Sequence, residues 1–159
     1  MKHLFFALIC AVSFSLVAQE NLPDAEIKTL DGNTTTLKKI SEENELIVVS
    51  LWATWCVPCK NELDAINEVY VDWQDETDVK VFAISVDDSR TVNRVKPLVN
   101  GKAWDFTILL DTNNDLKREL GAATIPLTLI IKNGEIVHRH SGYTPGSEEE
   151  LFEEIKKHS

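Results

Sequence analysis

The clearest feature of the chain is a change of hydrophobic period between its two most apolar segments. Residues 46–52 and 79–86 are nearly continuous apolar runs of strand length, which is typical of β-strands buried on both faces. Between them, apolar positions recur every three or four residues, which predicts a helix with one buried face. These positions are Leu63, Ile66, Val69, Tyr70 and Trp73.

Turn signals divide the flanking parts of the chain into further elements. An Asp-Gly pair at 31–32 separates residues 25–30 from the Thr-rich residues 33–40, which predicts a small N-terminal β-hairpin. An Asn-Gly pair at 133–134 lies between two further apolar segments and predicts a second hairpin near the C-terminus.

The segments between the two hairpins predict one more strand and two more helices. Residues 106–111 have strand character, and residues 114–120 form a short helical pattern that ends at a glycine. Residues 89–99 also have a helical pattern, but Pro97 predicts a kink or an end near Lys96.

The C-terminal segment carries the signal of a helix start. Ser147 and Glu150 have the spacing of a capping box, and an acidic segment containing Leu151 and Ile155 follows them. With the preceding alternation of strands and helices, this pattern predicts an α/β fold with a central mixed β-sheet flanked by helices and an added N-terminal β-hairpin.

The start of the chain predicts an export signal. Lys2 is followed by an apolar run over residues 4–18, shorter than the roughly 20 residues that cross a bilayer. Ala18 suits a cleavage site. We therefore expect a signal peptide at residues 1–18 and an exported or periplasmic domain, with an uncleaved membrane anchor as the alternative.

The charge of the chain limits its partners. The formal net charge of −10 over 159 residues argues against nucleic acid and against anionic membrane surfaces. Membrane contact is expected only if the N-terminal segment stays attached. We expect a single domain and a monomer.

Two cysteines, Cys56 and Cys59, remain once Cys10 leaves with the signal peptide. Their loop is so short that a purely structural disulfide would remove little entropy from the unfolded chain. Attachment of c-type haem requires a histidine where Lys60 stands.

A zinc site at this cysteine pair would need two more ligands. The candidates are His138, His140 and His158. His138 and His140 are two positions apart on a predicted strand and could share a face, but a solvated strand surface is the more common role for such a pair. No metal or other cofactor is expected.

The position of the cysteines between a predicted strand and a predicted helix favours redox chemistry. Unpaired backbone N–H groups and the helix dipole stabilise a thiolate at a helix start. We therefore expect Cys56 to be the exposed nucleophile and Cys59, one turn further into the helix, to resolve the mixed disulfide.

At this point the chain resembles a known family. The segment WATWCVPCK (residues 52–60), with the later ATIPLTLIIKNGEIVHRHSGY, is similar to the thioredoxin superfamily and to its exported TlpA-like and ResA-like branch. The resemblance covers residues 22–157 and implies a thioredoxin-like domain with thiol-disulfide oxidoreductase activity.

The resemblance also implies a substrate-binding surface around the cysteines. It implies a cis peptide bond between Ile125 and Pro126, with the backbone of Thr124 and Ile125 pairing with an extended substrate. Trp55 would cover one side of the site, with a core tryptophan as the alternative, and Pro58 lies between the cysteines.

One position departs from the cytoplasmic thioredoxin pattern. Ser50 stands where thioredoxins keep a buried aspartate. Glu62 lies three residues after Cys59 on the same side of the helix and matches an acidic residue of the ResA-like branch. We hypothesise that Glu62 manages the proton of Cys59, and a glutamate favoured only by the helix dipole is the alternative.

Val57 and Pro58 add no positive charge between the cysteines, so we expect a reducing pair, nearer about −270 mV than about −120 mV. The resemblance implies a membrane protein as electron donor and exported proteins with disulfides as substrates, including apocytochrome c.

Two alternatives to a disulfide reductase use the same fold. A thiol peroxidase would need a threonine where Ala53 stands, and a copper-binding assembly factor usually has three residues between the cysteines.

Overall fold

The computed structural model describes residues 22–159. The predicted signal peptide or anchor at residues 1–18 lies outside the described residues. No helix in residues 22–159 combines the length and the apolar character that crossing a bilayer needs.

One mixed β-sheet organises the described chain. Its strands are β1 (Glu26–Thr29), β2 (Thr34–Thr36), β3 (Leu46–Trp52), β4 (Lys80–Ser85), β5 (Thr107–Leu110), β6 (Leu127–Lys132) and β7 (Glu135–Ser141). They lie in the order β2-β1-β5-β4-β3-β6-β7. The β3, β4 and β5 strands are parallel, and all the other pairs are antiparallel.

Helices flank this sheet. They are α1 (Leu37–Glu43), α2 (Val57–Thr77), α3 (Val95–Lys102), α4 (Asp115–Glu119) and α5 (Ser147–His158), and a single 3₁₀ turn (Val92–Arg94) precedes α3. The α2 and α5 helices contact each other, and the rings of Trp73 and Phe152 stack there with centroids 5.3 Å apart.

The hydrophobic patterns located the core correctly. Every residue of β3 is buried, as a run that is apolar on both faces predicts. On α2, the predicted face is buried at Leu63, Ile66, Tyr70 and Trp73, whereas Val69 is half-buried. The α/β sandwich with a mixed sheet is confirmed, as is the N-terminal hairpin of β1 and β2.

The second half of the N-terminal Thr-rich segment is a helix and not a strand. The Oγ1 of Thr36 accepts a hydrogen bond from the N–H of Lys39 and so caps α1, which begins at Leu37. This local hydrogen bond ends β2 after three residues.

Two details of the helix predictions were wrong. Pro97 neither ends nor kinks a helix near Lys96, because α3 begins at Val95 and the missing N–H of Pro97 falls in the first turn, where no partner is needed. The Ser147–Glu150 capping box does not form either. Gly146 is the N-cap of α5, and the Ser147 hydroxyl lies by the Thr144 hydroxyl at 3.0 Å.

Candidate active site

The cysteine pair lies where β3 ends and α2 begins. Cys56 is the N-cap of α2, and its sulfur accepts a hydrogen bond from the N–H of Cys59 at 3.3 Å. Pro58 occupies the first turn, where its missing N–H costs nothing. The local sequence therefore starts the helix at the cysteine pair, and the sulfur of Cys56 faces backbone N–H groups, which favour a thiolate in the reduced form.

The two cysteines are joined by a disulfide, with their Cα atoms 5.4 Å apart. Cys56 retains 6% exposure and Cys59 has none. Cys56 is therefore more accessible than Cys59, as predicted, but it is itself largely buried.

A cis peptide bond between Ile125 and Pro126 faces the cysteine pair. The carbonyl oxygen of Ile125 lies 3.9 Å from the sulfur of Cys56, a contact between two acceptors because a disulfide sulfur carries no proton. Thr124 is exposed and Ile125 half-buried just before β6. The cis bond expected from the resemblance is confirmed.

Two large apolar side chains next to the cysteines face solvent. Trp55 is 58% exposed and Val57 is 60% exposed. A core role for Trp55 is therefore wrong. Soluble proteins expose neighbouring large apolar side chains mainly where they bind a partner. Trp55 and Val57 flank Cys56 directly in the chain.

Glu62 is buried behind the cysteine pair, one turn further along α2. Its Oε2 accepts a hydrogen bond from the hydroxyl of Ser50 at 2.8 Å, and its Oε1 accepts one from the hydroxyl of Thr128 at 2.7 Å. With 4% exposure, it is not a solvated glutamate at a helix start. Its carboxylate therefore binds the serine that replaces the thioredoxin aspartate.

Burial raises the pKa of Glu62, because desolvation penalises its charged form. The hydrogen bonds from Thr128 and Ser50 oppose this rise, and so does the positive charge that His140 can carry. A carboxyl with a raised pKa, set behind a dithiol, can accept and return a proton closer to neutral pH than an exposed carboxyl can.

Sequence reasoning did not identify a second buried acid, Asp87, in this region. Its Oδ2 accepts hydrogen bonds from the N–H of Thr54 and the hydroxyl of Ser85, each at 2.8 Å, and its Oδ1 accepts one from the hydroxyl of Thr54 at 2.6 Å. Asp87 thus holds the loop that leads into Cys56. A carboxylate just after a buried parallel strand, at the same sheet edge as the cysteines, was the available signal.

Thr128 was also missed as a site residue. It is the one hydroxyl in the apolar run of β6, and such a polar residue on a buried strand indicates a buried hydrogen-bond partner. The partner, Glu62, could not be named because it is 66 positions away in the chain.

His138 and His140 stand opposite Ile130 and Thr128 and so share a face of β7, which their spacing allowed. Both line a cavity that also contains Glu62 and Thr128. Among residues 22–159, no group of three or more histidine, cysteine, aspartate or glutamate side chains is arranged to hold a metal ion.

Comparison with known proteins places this chain among thioredoxin-like oxidoreductases. Residues 18–140 match the AhpC/TSA family. The chain is 26% identical over 149 residues to the thiol-disulfide oxidoreductase ResA of Oceanobacillus iheyensis, which covers 85% of this chain and 76% of ResA.

Solved structures agree. A thioredoxin-like protein from Porphyromonas gingivalis is 42% identical, with a TM-score of 0.77 over 86% of this chain and 90% of that one. StoA from Bacillus subtilis is 26% identical, with a TM-score of 0.66 over 83% of this chain and 97% of StoA. The chain therefore belongs to the AhpC/TSA family, has a thioredoxin-like fold, and is a thiol-disulfide oxidoreductase with the cysteine pair Cys56–Cys59.

Proposed function

We propose that this protein is an exported reductase that breaks disulfides in other exported proteins, with Cys56 as nucleophile and Cys59 as resolving thiol. The observation that carries the proposal is the placement of Cys56 at the N-cap of α2, against the carbonyl of Ile125, with Cys59 fully buried behind it. The greater exposure of Cys56 supports its role as the sulfur that meets the substrate.

The reaction begins with the reduced pair. The Cys56 thiolate attacks one sulfur of the substrate disulfide, and the other substrate sulfur leaves as a thiolate that takes up a proton. The Cys59 thiolate then attacks the sulfur of Cys56 in the mixed disulfide and releases the second substrate thiolate. Two electrons have moved to the substrate, and the Cys56–Cys59 disulfide remains.

The substrate segment would lie along the exposed backbone before β6. Thr124 and Ile125 precede the strand and offer backbone groups for extended pairing, with Pro126 fixing their direction. Trp55 and Pro58 would contact the same segment from the cysteine side. The exposure of Trp55 supports this role.

Glu62 would accept the proton of the Cys59 thiol when the resolving step begins. Its burial, its raised pKa and its place one turn after Cys59 support this role. Titration of the Cys59 thiol in Glu62→Gln tests it. We expect the thiol pKa to change, and a titration identical to the wild type would contradict the role.

Export and the direction of electron flow rest on the sequence. The segment at residues 1–18 supports export, and the absence of a charge at Val57 and Pro58 supports a reducing pair. A membrane protein would then supply the electrons, and apocytochrome c is one candidate substrate. Equilibration with a thiol–disulfide buffer should give a midpoint nearer about −270 mV than about −120 mV.

A trapping experiment tests the central proposal. Cys59→Ser should hold the substrate on Cys56 as a stable mixed disulfide, and Cys56→Ser, its matched control, should trap nothing. Insulin reduction should be lost in both variants. Trapping through Cys59 instead of Cys56 would contradict the assigned roles. Peroxide consumption without insulin reduction would favour a peroxidase, although fully buried Ala53 offers no hydroxyl there.

A further inference from the structure

A cavity lies beside Glu62, and no residue of β3 lines it. It has a volume of about 110 Å³ and is walled by Glu62 of α2, Thr128 of β6, two histidines of β7 and the first turns of α5. A cavity of this size has room for several water molecules, and the polar side chains in its wall offer them hydrogen-bond partners. The carboxyl of Glu62 therefore has little exposed surface but borders a cavity with room for water.

His140 is the histidine that the sheet register places closer to Glu62. Ser50, Thr128 and His140 lie directly opposite one another across β3, β6 and β7 and so share one face. The first two donate hydrogen bonds to Glu62. His140 is the next residue in that row, and its side chain is exposed.

His138 occupies a different place. It stands opposite Ile130, two positions along β7, and its charge acts on Glu154 of α5. The positive charge of His140, in contrast, acts on Glu62 and lowers its pKa, against the larger effect of burial. The two histidines therefore have different carboxylate neighbours within one cavity.

Other titratable groups line the cavity or lie next to it. His138 of β7 and Glu148, Glu150 and Glu154 of α5 line it, and Tyr143 of the loop after β7 lies beside Glu148. The Tyr143 hydroxyl donates to Oε2 of Glu148 at 3.0 Å, and burial together with the nearby Glu148 raises the pKa of Tyr143 to about 12. Tyr143 therefore keeps its proton near neutral pH, and the glutamates of α5 bring negative charge to the cavity wall.

We propose that His140 relays the proton of Glu62 to solvent through this cavity. This inference rests on the proposed role of Glu62. His140 is a positioning residue, since it acts through Glu62.

The proton balance is simple. When Cys59 becomes a thiolate, its proton moves to the Glu62 carboxylate. The neutral imidazole of His140 then takes this proton, which restores the carboxylate, and the imidazolium gives it to water. Histidine suits this step because its side chain changes charge close to neutral pH.

Single-turnover kinetics test the relay. Prereduced protein is mixed with a peptide disulfide in which the thiol that is released second carries a fluorophore. Release of this labelled thiol from its mixed disulfide with Cys56 reports the resolving step. We expect His140→Ala to slow this step by about tenfold at neutral pH, less than direct general acid–base catalysis supplies, because water in the cavity still carries protons. His138→Ala, the matched control, should leave the rate unchanged.

Chemical rescue distinguishes a relay from a structural role. Free imidazole should restore the rate of His140→Ala, and sodium chloride at the same ionic strength should not. A purely structural defect would not respond to imidazole, and that result would overturn the inference. An equal loss in His138→Ala would overturn the assignment to His140.

A double variant separates this inference from the function on which it rests. In the Glu62→Gln background, His140→Ala should cause no further loss. A normal rate in His140→Ala with a slow Glu62→Gln would overturn the relay and leave the role of Glu62 intact. If His140→Ala slows the resolving step by the same factor in the wild type and in the Glu62→Gln background, the relay through Glu62 is also overturned. A normal rate in Glu62→Gln would remove the role of Glu62 and the relay together.

Discussion

Two buried acidic side chains lie on either side of the cysteine loop, and they differ in what surrounds them. Asp87 accepts three hydrogen bonds, one of them from a backbone N–H, and its partners lie on the loop before Cys56 and on β4. Glu62 accepts hydrogen bonds from two hydroxyls and borders a cavity with two histidines. Both carboxyls are at most 4% exposed.

The contrast shows that burial alone does not identify a proton carrier. A carboxylate that accepts from a backbone N–H is an anchor, because that buried donor needs a partner and cannot turn into an acceptor. Hydroxyl donors can rotate and accept instead, so Glu62 can hold or lose a proton without breaking its network. Access to a cavity then decides whether the proton can leave.

The largest expected effect is on the anchor. Asp87→Ala leaves the N–H and hydroxyl of Thr54 and the hydroxyl of Ser85 without their partner in a buried site, so we expect a loss of about 3 kcal/mol in the free energy of unfolding. Urea denaturation measures it. The neighbouring Asp88→Ala removes an ion pair with the exposed Arg90 and a hydrogen bond from the N–H of Arg90, and it should cost much less because both lie at the surface. Equal losses of unfolding free energy in the two variants would contradict the anchoring role of Asp87.

Thr128→Val should have an intermediate effect. It removes one of the two hydroxyl donors of Glu62 with little change of shape, which should cost about 1 to 2 kcal/mol of unfolding free energy. Because that hydrogen bond lowers the pKa of Glu62, its loss should raise this pKa further. The pH profile of the resolving step should then move to higher pH, and a move to lower pH would contradict the assigned contact.

The smallest effect on stability is expected from Glu62→Gln, and it depends on pH. Since folding raises the pKa of Glu62, the folded state binds more protons than the unfolded state above the ordinary pKa of a glutamate. Stability of the wild type therefore falls as the pH rises towards the raised pKa. The stability of the variant does not fall in this pH range for the same reason, because a glutamine side chain does not titrate.

Urea denaturation of both proteins from acidic to neutral pH measures the difference. The variant should gain stability relative to the wild type as the pH rises, and the difference should level off above the raised pKa. A difference that shrinks with rising pH would mean that the folded protein favours the carboxylate. In that case the raised pKa of Glu62, and with it the contrast between the two acids, would be contradicted.

Most of the fold follows from local patterns in the sequence. Strands β3 and β4, the buried face of α2 and the turn before β7 follow from local pattern, because each is set by residues a few positions apart. The same holds for Cys56 at the helix start, where the proline in the first turn and the strand before it define the boundary. The errors at Thr36, Pro97 and Ser147 concern single hydrogen bonds at helix starts, which local pattern does not resolve.

The way in which the site holds its buried charges depends on contacts that form only when the chain is folded. Glu62 was singled out from its place in the helix, but its partners Ser50 and Thr128 come from two strands that meet it only after the sheet has formed. The row that continues to His140 depends on the register of β6 with β7, and Asp87 is 33 positions from Thr54. Hydrogen bonds and cavities of this kind join residues distant in the chain, so their geometry exists only in the folded protein.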